Sequence, residues 1–150
     1  MEDTDVKRFV QRACALGAHD AKIINASSIV TAAWVRMKCQ FGCGCYNTNY
    51  CCPPYSPTPQ QTREVIDCYM RSLLIHWKGD LRPNSIVIQL ERELFLSGFY
   101  KALGFGAGPC RLCSTCHSEH CVHPASARPS MEACGIDVFA IGIFQLRSRE

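Results

Sequence analysis

The sequence predicts an α/β (or α+β) fold: one compact domain over residues 1–150, with a small mixed sheet, flanking helices and two cysteine-rich metal-binding loops. Three observations lead there. Hydrophobic residues make up 47% of the chain and charged residues 19%, enough to bury a core, and 150 residues suit one domain better than two. Segments of helical period alternate with short β-like runs. Two cysteine-dense stretches, residues 39–57 and 109–124, follow neither period.

From the N-terminus, Val6, Phe9, Val10, Ala13 and Leu16 fall at helical spacing between Thr4 and Leu16, and Gly17 is placed to stop that helix. Ala21–Ile24 and Trp34–Met37 read as short strands, the second delivering the chain to Cys39. Thr58 as N-cap, Pro59 at N1 and Gln61 at N3 form a capping box, opening a helix expected to reach Met70. Leu73–Trp77 reads as a buried strand ended by Lys78-Gly79-Asp80. After Arg82-Pro83, Asn84 is expected to cap a long helix through Leu103, its apolar face formed by Ile86, Leu90, Leu94, Phe95 and Phe99. Gly104–Gly108 ends it. A short helix over Ala125–Ala133 and an apolar tail from Ile136 to Phe144 complete the expectation, with no internal repeat and no linker.

Twelve cysteines are the anomaly of the composition. Such a content arises from a disulfide framework in a secreted protein or from metal ligation in a reducing compartment. Met1-Glu2-Asp3-Thr4-Asp5 is acidic and leads into no apolar signal segment, and no apolar run approaches the ~20 residues that span a bilayer. The expectation is a soluble, cytoplasmic, reduced protein whose cysteines bind metal. A net charge of +3, with its basic residues scattered, argues against a nucleic-acid partner, and the lack of a long apolar run argues against a membrane. There is no Ser/His/Asp arrangement and no dinucleotide fingerprint. Gly104–Gly108 follows a helix rather than a strand and is no phosphate cradle.

The second cysteine stretch, Cys110, Cys113, Cys116 and Cys121, has the spacing C-x2-C-x2-C-x4-C. Structural zinc usually takes two cysteine pairs a dozen or more residues apart. Four thiolates this close together suit a cubane, and the run approaches the bacterial ferredoxin pattern, with one extra residue and its proline delayed to Pro124. The chemistry indicated is a [4Fe-4S] cluster, with zinc as the alternative. In ferredoxins the fourth cysteine of such a run can serve the other cluster, which makes Cys121 the weakest of the four assignments. His117, His120 and His123 read as exposed loop residues or hydrogen-bond donors to the ligands.

The first stretch holds Cys39, Cys43, Cys45, Cys51 and Cys52 within fourteen residues, another metal signal, but its spacing names no cluster type. Adjacent Cys51 and Cys52 point in different directions, so at most one of them serves the same site. Cys134, before Gly135, reads either as a core thiol or as a fourth ligand folding back on the first stretch. Cys14 and Cys68 read as ordinary packed or surface thiols.

Two long motifs then match a known pattern. Cys39-Gln40-Phe41-Gly42-Cys43 through Cys52-Pro53-Pro54-Tyr55-Ser56-Pro57-Thr58-Pro59, and Gly108-Pro109-Cys110-Arg111-Leu112-Cys113 through Met131-Glu132-Ala133-Cys134-Gly135, resemble a family described as predicted metal-binding proteins, met chiefly in methanogenic archaea and anaerobic bacteria. The resemblance implies that Cys39, Cys43 and Cys52 form one site. It implies that Cys110, Cys113, Cys116, Cys121 and Cys134 form the other or are shared. Cys14, Cys45, Cys51 and Cys68 lie outside that pattern.

Three functions compete. The favoured one is a one-electron carrier or redox module with one or two [4Fe-4S] clusters and a protein redox partner. The others are an enzyme whose three-cysteine cluster leaves an iron open to substrate, and a zinc-stabilised binding module. What separates carrier from enzyme is whether Cys39, Cys43 and Cys52 find a fourth thiolate, for which Cys134 is the expectation.

Overall fold

Two antiparallel strands separate two apolar clusters, and the cysteine stretches hang from the elements around them. The computed structural model describes residues 3–79, 83–117 and 119–141. The described elements are α1 (Asp3–Ala15), β1 (Asp20–Asn25), α2 (Ala33–Gly42), α3 (Pro59–Ile66), β2 (Arg71–His76) and α4 (Pro83–Leu96), with 3-10 turns at Ala26–Ser28 and Glu132–Cys134. Asp80 and Arg82, and the expected tail beyond Ile141, lie outside the described residues.

β1 and β2 pair from Asp20↔His76 to Asn25↔Arg71. Because strand side chains alternate between faces, Ala21, Leu73 and Ile75 join Phe9 and Ala13 of α1 and Ile86 and Leu90 of α4. Ile24 and Leu74 face the other way, onto Ala26, Ile66, Ile136 and Ile141. The α/β expectation therefore holds, with the sheet a two-stranded antiparallel ladder among the described residues.

The helix ends follow local chemistry. Gly17 takes φ +113°, and Gly17 N–H and Ala18 N–H return to Cys14 and Ala13 carbonyls, a Schellman stop for α1. The Thr58–Gln61 capping box is formed in both directions. α4 ends at Leu96, earlier than the Leu103 expected, through the same device. Gly98 has φ +98°, and the N–H groups of Gly98 and Phe99 reach the Phe95 and Leu94 carbonyls. Phe99 still reaches the core from outside the helix, its ring 5.9 Å from Phe9 edge to face. Asn84 is no cap: it lies inside α4 and its side-chain Oδ1 accepts from Ala107 N–H at 3.0 Å. The α3 helix stops at Ile66 rather than Met70, whose carbonyl instead accepts from Ala26 N–H.

Two further expectations are corrected. Trp34–Met37 is helix, not strand. Ala33, Met37, Lys38 and Gln40 favour helix, and winding buries Val35 while leaving Trp34, Met37 and Phe41 exposed at helical spacing. Ala125–Ala133 forms no α-helix, since Pro129 lacks an N–H and biases Arg128 toward extended backbone. There the chain makes one turn at Pro124–Ser126, bridges Ser130 beside Gly106 and turns again at Glu132–Cys134.

α4 fixes both flanks of the second cysteine stretch. Glu91 accepts from Gly104 N–H at 2.7 Å on the incoming side and from Arg128 Nε at 2.9 Å and Nη2 on the outgoing side. Burial pushes the Glu91 carboxyl up, but the Arg128 guanidinium and the Gly104 N–H outweigh it and hold it below the usual carboxylate range. A depressed carboxylate contributes stability above its unfolded pKa, and that contribution is lost as pH falls through the folded value. Replacing Glu91 with Gln should cost about 2 kcal/mol at neutral pH, because a partly buried guanidinium loses its charged partner. Thermal melts of both proteins should converge as pH drops below the carboxylate range. A constant difference down to acid pH would contradict the clamp.

Candidate metal centres

The first group of thiols is built on the end of α2. Cys39 and Cys43 are one helical turn apart, with Cys43 at the C-cap and its N–H on the Cys39 carbonyl at 3.2 Å. The chain then winds through tight turns. Tyr46 N–H reaches the Cys43 carbonyl, Thr48 N–H the Cys45 carbonyl, and Cys45 N–H lies 3.5 Å from Cys43 Sγ. Asn47, in the left-handed region at φ +59°, donates from its N–H to the Pro53 carbonyl at 2.7 Å and closes the loop. Pro53–Pro54 is a cis peptide. This folding returns Cys52, buried, to the others. Burial raises its pKa, an Asn49 hydrogen bond lowers it, and Cys45, Cys43 and Cys39 raise it further as neighbouring negative charges. The Cys39 thiol is also pushed up, by burial first and then by Cys43 and Glu132 against Arg36. The structure therefore gathers Cys39, Cys43 and Cys52, as the motif implies, and adds Cys45.

The second group spans both loops. Cys110, Cys113, Cys116 and Cys121 line one small hollow, and Cys51 of the first loop lines it with them. Cys113 is bounded by Cys116, Cys110 and Cys121. Cys51 lies beside Cys110 and Cys121; burial, then these neighbours, push its thiol up to about 12. Next to it, Tyr50 N–H donates to Cys116 Sγ at 3.3 Å. The Arg128 guanidinium, already held by Glu91, lies near Cys51. Exposed His117, His120 and His123 line the outer part of the hollow.

Cys134 lies in the turn at Glu132–Cys134, which packs on α2. Its side chain is wholly buried beside the Thr62 hydroxyl, and burial pushes the thiol up to about 12. It shares its charged neighbours, Arg36 and Glu132, with Cys39. Ser56 Oγ, donating to the Ala133 carbonyl at 2.6 Å, ties the first loop's exit to the same turn. Cys14 and Cys68 are exposed and apart from both groups, and all twelve cysteines are free. Cys45 and Cys51 are the members that spacing and motif missed. The only sequence signal for them was cysteine density, and their partners are set by how two distant loops fold together.

Residues 22–142 match the model of a family described as Predicted metal-binding protein (DUF2284). The chain belongs to that family. No curated protein and no solved structure matches it. Within this member of the predicted metal-binding family, both thiol groups fall inside the matched span. Among the described residues, no three His, Cys, Asp or Glu side chains close to the shell of a single ion. No helix among them is long and apolar enough to cross a membrane.

Thiols whose pKa is raised by folding stabilise the metal-free protein in full below the ordinary thiol value of ~8.5 and lose that contribution as pH climbs through the folded value. For Cys51 and Cys134 that folded value is about 12. The reduced, metal-free protein should therefore melt at progressively lower temperature as pH rises across this window. A flat melting temperature there would contradict the burial of these thiols.

Proposed function

We propose that the chain is an iron–sulfur redox module with two [4Fe-4S] centres, passing single electrons to and from a protein partner in the cytoplasm. The observation that carries this reading is the sorting of nine thiols into two groups, four from one loop and five from two. Cysteine-only donor sets suit iron–sulfur clusters and zinc alike. Zinc–sulfur bonds of ~2.3 Å would draw four thiolates to within about 3.8 Å of one another. The cubane is the better fit, because it is larger and is served by the compact run Cys110–Cys121.

In this reading Cys39, Cys43, Cys52 and Cys45 hold the first centre, with Cys45 in the place expected for Cys134. Cys110, Cys113 and Cys116 supply the second, whose fourth place lies between Cys121 and Cys51. A bound cubane supplies one-electron oxidation and reduction. The chain's own part is to hold thiolates against their mutual repulsion and to set Arg128 beside the second group. With four thiolates, each centre is closed to substrate.

One feature favours the enzyme reading: a cavity of about 250 Å³ beside Cys39 and Cys43, walled by Trp34, Val35, Ile136 and Val138 with Lys38 and Glu132 at its edge. An iron left open at the first centre would face it. Anaerobic purification with iron, sulfide and zinc quantified decides the metal, and a small thiol added to the reduced protein decides between carrier and enzyme. The carrier should hold roughly four iron and four sulfide per centre, with paramagnetic resonance unchanged by the thiol. Zinc without sulfide would refute the iron–sulfur reading; a thiol-shifted spectrum would move the assignment to the enzyme.

A further inference from the structure

Cys51 lies outside the family motif, and its position in the sequence gives it no partner, yet it is the best-fixed thiol of the second group. It is 6% exposed, whereas Cys110, Cys113, Cys116 and Cys121 are only partly covered. Its backbone N–H donates to Asn49 Oδ1 at 3.1 Å, and its side chain lines the same hollow as Cys110. The preceding residue is tied to the same group through Tyr50 N–H on Cys116 Sγ at 3.3 Å. Two successive residues of the first loop are thus attached to the second. Cys121 comes from a different setting, following the longest gap of its run and flanked by exposed His120, Val122 and His123. A donor already fixed in place loses less freedom on ligation than one on an open loop.

We propose that Cys51 with Cys110, Cys113 and Cys116 holds the second centre, that Cys121 is a fifth thiol outside the ligand set, and that the Cys51–Cys52 peptide unit joins the two centres. The structure sends these adjacent side chains to different groups, Cys51 toward Cys110 and Cys121, Cys52 toward Cys39, Cys43 and Cys45. One peptide unit is then the shortest covalent connection between the ligand sets. This rests on the iron–sulfur reading above.

The test is the full-length chain purified anaerobically as Cys121→Ala and Cys51→Ala, with iron and sulfide per chain and the paramagnetic resonance spectrum of the reduced protein. Cys121→Ala should keep the wild-type iron and sulfide and the wild-type spectrum. Cys51→Ala should keep about half of each, with the spectrum of a single centre. Loss of half the iron from Cys121→Ala, or a full complement in Cys51→Ala, overturns the assignment. If Cys51→Ala does not fold, Cys121→Ala decides alone, because only four thiols then remain around the hollow. Wild-type protein holding zinc and no sulfide would refute the iron–sulfur reading separately, and zinc content in the same variants would still read the ligand set.

Discussion

Glu91 is the point on which the order of the second loop depends. Its carboxylate, in the third turn of a helix whose other side enters the core through Ile86 and Leu90, grips the chain where it leaves for the thiols and where it comes back. Asn84, two turns earlier, adds a third hold through Ala107 N–H. The thiols between these attachments have little regular backbone of their own, so their positions follow from a helix packed elsewhere. Arg128 passes the constraint on, since the guanidinium fixed by Glu91 sits beside Cys51 of the first loop. Core, second loop and first loop form a chain of dependence in that order.

The first loop is held differently. Its entrance is the C-terminus of α2, its interior is closed by Asn47 on the Pro53 carbonyl, and its exit is tied by Ser56 to the turn at Glu132–Cys134. That turn also presents Gly135, whose carbonyl accepts from Ala32 N–H at 2.9 Å just before α2 begins. The exit of the loop and the start of the helix that leads into it thus meet one short segment. The wholly buried side chain of Cys134 packs this anchoring segment.

Local signals were legible from sequence wherever a few neighbouring residues decide the outcome. The capping box at Thr58, the stop at Gly17 and the short strand-like runs Ala21–Ile24 and Leu73–Ile75 are of this kind. The early end of α4 was also written there, in Ser97-Gly98, but the apolar pattern continues through Phe99, which packs on Phe9 from beyond the helix and mimics another turn. At Trp34–Met37 four residues were too few to separate strand from helix, and the exposed stripe of Trp34, Met37 and Phe41 shows only when the segment is extended to Gly42. The thiol grouping was half legible. Spacing brings Cys110, Cys113 and Cys116 together because each pair is close in the chain. Cys51 meets them only through a fold that no local rule describes.

Two sets of thiols held close together, one within the first loop and one across both, are the physical fact from which the account follows. Neutral thiols tolerate that crowding and thiolates do not, unless positive charge sits among them. The most direct measurement is a crystal of anaerobically prepared protein with anomalous difference maps recorded at the iron and zinc edges. The account predicts two compact iron peaks, one enclosed by Cys39, Cys43, Cys45 and Cys52, the other by Cys51, Cys110, Cys113 and Cys116. Signal at the zinc edge alone, or a single iron site with one thiol group bare, would contradict it.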